Sequence, residues 1–113
     1  MLPRINPTQT PAWKKLKEHQ ATMSQTNMRE LFRQDTERFR KYSLCTKDLV
    51  FDYSKNILND KTLALLNELA LSSKLPEAMK SMFNGELINA TENRAVLHTA
   101  LRNFSGKPVF TQG

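Results

Sequence analysis

Trp13, Leu16, Gln20 and Met23 recur at steps of three and four, and Lys14, Lys15, Lys17 and Glu18 lie among them. Residues at that spacing share one face of a helix, so the pattern predicts a helix with a mostly apolar stripe and Trp13 as an anchor against other helices. Thr10 followed by Pro11 marks its start: the threonine can cap free N–H groups, and proline at the first helical position lacks only an N–H that would be unpaired anyway. A second helix is expected after Asn27, with Glu30 three residues on in a capping-box arrangement and Met28, Leu31 and Phe32 as its apolar side. Past the polar residues 33–38, Phe39 and Tyr42 stand three apart and are expected to close the same face.

The period then changes. Leu49, Phe51 and Tyr53 alternate with Val50, Asp52 and Ser54, which predicts one short extended segment. Asn59 or Asp60 is expected to cap a third helix, well buried through Leu63, Leu66, Leu69 and Ala70 and widened by Leu65 and Leu71. Leu75-Pro76-Glu77 opens a fourth, with Ala78, Met79, Met82 and Phe83 on its apolar side, and Asn84-Gly85 stops it. Thr91 and Glu92 predict a fifth, burying Val96, Leu97, Ala100 and Leu101 and broken by residues 103–107. Residues 108–111, Pro-Val-Phe-Thr, read as an incoming strand whose partners are not in the chain. The fold class is therefore mainly α, about five helices with one or two short extended segments.

At 113 residues the chain has room for one core. Its 39% hydrophobic and 25% charged content is that of a soluble globular protein. No apolar run nears the roughly 20 residues of a membrane span, and the first residues lack the continuous apolar stretch of a secretory signal. Cytoplasmic residence is the expectation, with no membrane partner. Cys45 has no second cysteine to pair with, which fits a reducing compartment.

The net charge of +6 is concentrated in residues 1–48, which carry ten Lys/Arg against five Asp/Glu. These cations alternate with Glu18, Asp35 and Glu37, the pattern of a solvated face and not of a nucleic-acid groove. A free-standing basic helical module that binds an acidic partner or nucleic acid is the alternative reading, supported by charge alone.

Candidate chemistry is sparse. Arg94, His98 and Arg102 are spaced by four, so a helix would present two permanent cations and an imidazole along one side, suited to an anion such as a phosphate; the structural alternative is that the arginines bond carbonyls, acids or the parent protein's surface and His98 is a satisfied, partly buried histidine. His19, among Lys17, Glu18 and Gln20, is expected in solvent. No HExxH, GxSxG or clustered carboxylates point to a metal or a nucleophile, and Gly85, Gly106 and Gly113 are too dispersed for a phosphate loop. Met23, Met28, Met79 and Met82 read as core filling.

The run Thr91-Glu92-Asn93-Arg94-Ala95-Val96-Leu97-His98-Thr99-Ala100-Leu101-Arg102-Asn103 resembles a characteristic stretch of glucose-6-phosphate isomerases. Three further stretches follow the family's order: Ile5-Asn6-Pro7-Thr8-Gln9-Thr10 with Trp13, Asp52-Tyr53-Ser54-Lys55-Asn56, and residues 79–89 from Met79 to Asn89. The resemblance implies interconversion of glucose 6-phosphate and fructose 6-phosphate in glycolysis and gluconeogenesis, by ring opening and proton transfer through an enediol. It implies no organic cofactor and no metal. It also implies a dimeric enzyme of two α/β sugar-isomerase domains, several times longer than this chain, whose phosphate loop and glutamate base lie beyond Gly113. Residues 1–113 are then expected to be a single helical N-terminal segment of an α/β sugar-isomerase-type protein, without those domains and inactive alone. Its partner would be the remainder of the isomerase polypeptide, with sugar phosphate bound only by the complete enzyme. Arg94 and His98 are the substrate-adjacent candidates, and no catalytic residue is expected in this chain.

Overall fold

A computed structural model describes residues 2–111 and divides the chain into two compact units, Pro11–Asn67 and Met1–Thr10 with Glu68–Gly113. Among the described residues there are five α-helices, α1 (Pro11–Met23), α2 (Met28–Gln34), α3 (Arg38–Lys41), α4 (Asp60–Ser72) and α5 (Leu75–Phe83). Strands β1 (Ser43–Cys45) and β2 (Val50–Asp52) complete the regular structure, with 3-10 turns at Pro7–Gln9 and Ala100–Arg102. None of these helices is long and apolar enough to cross a membrane.

In the unit Pro11–Asn67, helix α1 begins where Pro11 predicts, but its inward stripe is turned by about one residue. Ala12 and His19 are buried while Gln20 is exposed, so the face runs through positions 12, 16, 19 and 23. His19 is thus not in solvent: its Nε2 lies 2.8 Å from Thr62 Oγ1. Thr62 is the third residue of α4, where its backbone N–H donates to Asn59 Oδ1 at 3.0 Å and its hydroxyl accepts from the Asn59 N–H at 3.1 Å. That reciprocal pair is a capping box with threonine in the glutamate's place. Through it the buried imidazole is tied to the start of α4.

Asn27 caps α2 by accepting from the Arg29 N–H at 2.9 Å, but Glu30 does not close the box. It turns forward to Arg33 at 3.0 Å and Gln34 at 3.1 Å, partners one helical turn ahead. The expectation that Phe39 and Tyr42 share a face is also corrected: Tyr42 is buried, and Phe39 is half exposed. The residue that turns inward with Tyr42 is Arg38, only 2% exposed. Its Nε donates to the Ser54 carbonyl at 2.9 Å, and its Nη2 to those of Asn56 and Leu58 at 2.8 and 3.0 Å. The guanidinium also lies 4.8 Å from the centroid of Tyr42 and 5.6 Å from that of Phe32.

The extended segment has a partner that the alternation did not reveal. β2 pairs antiparallel with β1 in the register Ser43↔Asp52, Leu44↔Phe51 and Cys45↔Val50. Both faces of the hairpin are largely wet, with Leu44, Leu49, Val50 and Phe51 exposed, and the Cys45 thiol is also exposed. Below the hairpin, Tyr42 donates its hydroxyl to Asp60 Oδ1 at 2.7 Å. Burial, then the bond to the Asp60 carboxylate, raises the Tyr42 pKa from 10.0 to about 12. The folded state holds this proton more tightly than the unfolded chain, so its contribution is complete below about pH 10 and is lost as pH rises toward 12. Alkaline titration of stability should therefore fall more steeply between those values for the parent than for Tyr42→Phe; equal slopes would show that the phenol does not contribute.

Helix α4 is less buried than its leucines suggest. Leu65 is 8% exposed, whereas Leu66 and Leu71 are open to solvent at 44% and 62%. Within the other unit, Lys74 adopts a left-handed φ of 59° ahead of α5, and Gly85 a φ of 67° after it, as the predicted Asn84-Gly85 stop requires. Met79 does not fill a core here, being half exposed like Leu75. Two further expectations in this unit fail. Residues 108–111 form no strand, and residues 91–99 are not helical, leaving only the 3-10 turn Ala100–Arg102 of the fifth helix.

Candidate functional site

The absence of that helix has local causes. Asn89 and Arg94 form an isolated antiparallel bridge, Asn89 N donating to Arg94 O at 3.1 Å and Arg94 N to Asn89 O at 3.4 Å. The Asn89 side chain fills the loop between them: its Oδ1 accepts from the Glu92 N–H at 3.2 Å, and its Nδ2 donates to Glu92 Oε2 at 3.0 Å. Asn93 sits at a left-handed φ of 51°, a conformation that asparagine tolerates better than most residues. Thr91, the predicted cap, is therefore taken up in a tight loop. A helix of about a dozen residues is marginal in water without a surface for its apolar face, so these few side-chain bonds suffice to outcompete it.

Arg94 and His98 still share one hollow, by another route. Both line a hollow of about 460 Å³ together with Asn89, Val96, Leu97 and Leu101. Arg102 does not line it; its Nη1 donates to the His98 carbonyl at 3.4 Å. The two arginines and the imidazole are thus not ranged along one side of a helix. Arg94 is moreover paired with the carboxylate of Glu92. An anion entering the hollow would have to compete with that carboxylate, so the arrangement is a cation and an imidazole held near apolar walls, with the cation already neutralised.

The unit Pro11–Asn67 contains a hollow that sequence reasoning did not anticipate, about 440 Å³, lined by Leu16, His19, Gln20, Met23, Ile57 and Thr62. Its polar floor is the His19–Thr62 contact, already committed to capping α4. The one sequence signal for His19 was its spacing of three from Leu16 and four from Met23, which places it on the stripe as well as Gln20 would be.

Several cations of the basic first half are already engaged. Arg33 pairs with Glu30 at 3.0 Å, Lys41 with Asp35 at 2.8 Å and Arg40 with Glu37 at 3.7 Å, while Arg38 is buried against carbonyls. The hydrogen bond from Lys41 holds the Asp35 carboxyl below its usual pKa. A polyanion-binding module finds no support in the comparisons with known proteins.

Those comparisons point one way. The family model described as phosphoglucose isomerase matches residues 52–113, and thereby α4, α5 and the loop that carries Arg94 and His98. The glucose-6-phosphate isomerase of Desulforapulum autotrophicum is 48% identical over 113 residues, covering 100% of this chain and 20% of that protein. The chain spans about a fifth of the length of the relative it matches. With the model matching more than half of its residues, the chain belongs to the phosphoglucose isomerase family.

Proposed function

We propose that residues 1–113 serve as the N-terminal part of a glucose-6-phosphate isomerase that interconverts glucose 6-phosphate and fructose 6-phosphate in the cytoplasm, and that they do not turn over substrate alone. The observation that carries this is the 48% identity running through the whole chain while spanning only 20% of the relative. The chain then acts as a helical lead-in whose partner is the remainder of the isomerase polypeptide, with sugar phosphate bound, and the dimer formed, by the complete enzyme. Support for inactivity of the part comes from both hollows: the cation of the candidate site, Arg94, is paired with Glu92, and in the separate hollow of the unit Pro11–Asn67 the buried imidazole of His19 is engaged with Thr62. Arg94 and His98 are the residues we place nearest to substrate.

Turnover of fructose 6-phosphate to glucose 6-phosphate should be measured for the purified chain alone and after mixing with a polypeptide carrying the rest of the isomerase. Activity only in the mixture is expected; activity of the chain alone would refute the reading. In the complete enzyme, Arg94→Ala or His98→Ala should raise KM or lower kcat by about tenfold if the group meets the phosphate or the sugar. Unchanged kinetics with a lower Tm would instead make both residues purely structural.

A further inference from the structure

Residues 91–102 carry the signals of a helix and do not form one. Thr91 is placed to cap it, Glu92 lies in its first turn, and Val96, Leu97, Ala100 and Leu101 recur at helical spacing. Arg102 would fall in its last turn, where a cation favours the helix dipole. In the structure Leu101 is 80% exposed, and only Ala100–Arg102 is helical, as a single 3-10 turn. A sequence whose local preference and observed state disagree in this way lacks the surface on which its apolar face would be buried.

We infer that residues 91–102 are a docking element for the remaining isomerase polypeptide, converting from the present loop to a helix as Val96, Leu97, Ala100 and Leu101 are buried against it. This rests on the proposed N-terminal role. The occupant is chosen by two observations. The relative matches this segment along with the rest of the chain and is about five times longer, so a large polypeptide accompanies the same sequence there. The half of the chain that contains the segment, residues 49–113, is close to neutral, with seven Lys/Arg and six Asp/Glu, so an apolar and not a polyanionic partner fits.

The conversion would also change the candidate site. In the loop, Arg94 is held by Glu92, two residues away. On a helix, residues two apart do not face one another, whereas residues four apart do. Helix formation would therefore release Arg94 from Glu92 and set it beside His98. Docking and the creation of an anion-facing pair become one event, so Arg94 is freed from Glu92 for a phosphate only where the rest of the enzyme is present.

The test uses the isotopically labelled chain, alone and mixed with an unlabelled polypeptide carrying the rest of the isomerase, with amide exchange and turnover read in the same samples. Exchange at residues 96–101 should slow by about tenfold or more on mixing, together with the appearance of turnover. Asn93→Ala, which disfavours the left-handed loop residue, should strengthen association about fivefold, and Leu101→Asp should weaken it. Turnover without slowed exchange would overturn the docking helix and leave the N-terminal role intact. Failure to associate at all would overturn both. Slowed exchange that grows with concentration of the chain alone would overturn the choice of partner in favour of a second copy.

Discussion

Arg38→Ala should unfold the unit Pro11–Asn67 at a markedly lower urea concentration than the parent, a loss on the order of 3 kcal/mol or more. The guanidinium serves the carbonyls of Ser54, Asn56 and Leu58, and it does so in a position that is 2% exposed. Removing it leaves three acceptors facing a void, each costing about 1–3 kcal/mol if water does not replace the donor. Tyr42 and Phe32 lose their cation at the same time. Arg38→Lys should restore only a fraction, because an ammonium cannot reproduce the planar fork that reaches carbonyls four residues apart in sequence. A midpoint unchanged in both variants would mean that these bonds are not formed in solution. The expected cost is large because residues 54–58 have almost no regular structure, and this side chain substitutes for it.

Gly85→Ala should be the most damaging single-methyl change in the chain. The glycine is buried with φ at 67°, and an added Cβ would stand 2.4 Å from the Phe110 carbonyl oxygen and 3.2 Å from Thr111 Cα. The left-handed backbone alone costs a non-glycine residue about 1–2 kcal/mol. The clash is with main chain, which cannot rotate away, so residues 110–111 must move. We expect limited proteolysis within residues 104–111 to accelerate severalfold and Tm to drop, with Gly106→Ala as the control. Gly106 has a similar φ of 71° but nothing within 4 Å of the added carbon. Equal effects from the two variants would assign the whole loss to backbone strain and none to the contact with Phe110.

What the sequence revealed follows from how locally each feature is determined. Pro11, Asn59, Pro76 and Asn84-Gly85 act within a few residues of themselves, and α1, α4 and α5 begin or end where they predict. The choice between Gln20 and His19 for the inward stripe could not be made locally, because it depends on Thr62, 43 residues away. β1 was invisible for the same reason: Ser43–Cys45 has little alternation of its own and is a strand only because β2 pairs with it. Arg38 looked like one more surface cation, since its three acceptors lie 16 to 20 residues downstream. At the candidate site the residues were identifiable and their geometry was not. The spacing of Arg94 and His98 singled them out, and the structure gathers both at one hollow, but through the Asn89 loop and not through a helix.

The exposed thiol on β1 has a bearing on how any self-association is interpreted. With a single cysteine per chain, Cys45 has nothing to bond with internally, so air oxidation can join only two different molecules. A covalent pair formed this way would run as a doublet species on a non-reducing gel and vanish with a reductant, mimicking an assembly that owes nothing to the fold. Cys45→Ser removes that species without touching the register of the hairpin, and it turns the same position, restored, into an address for a single reporter dye.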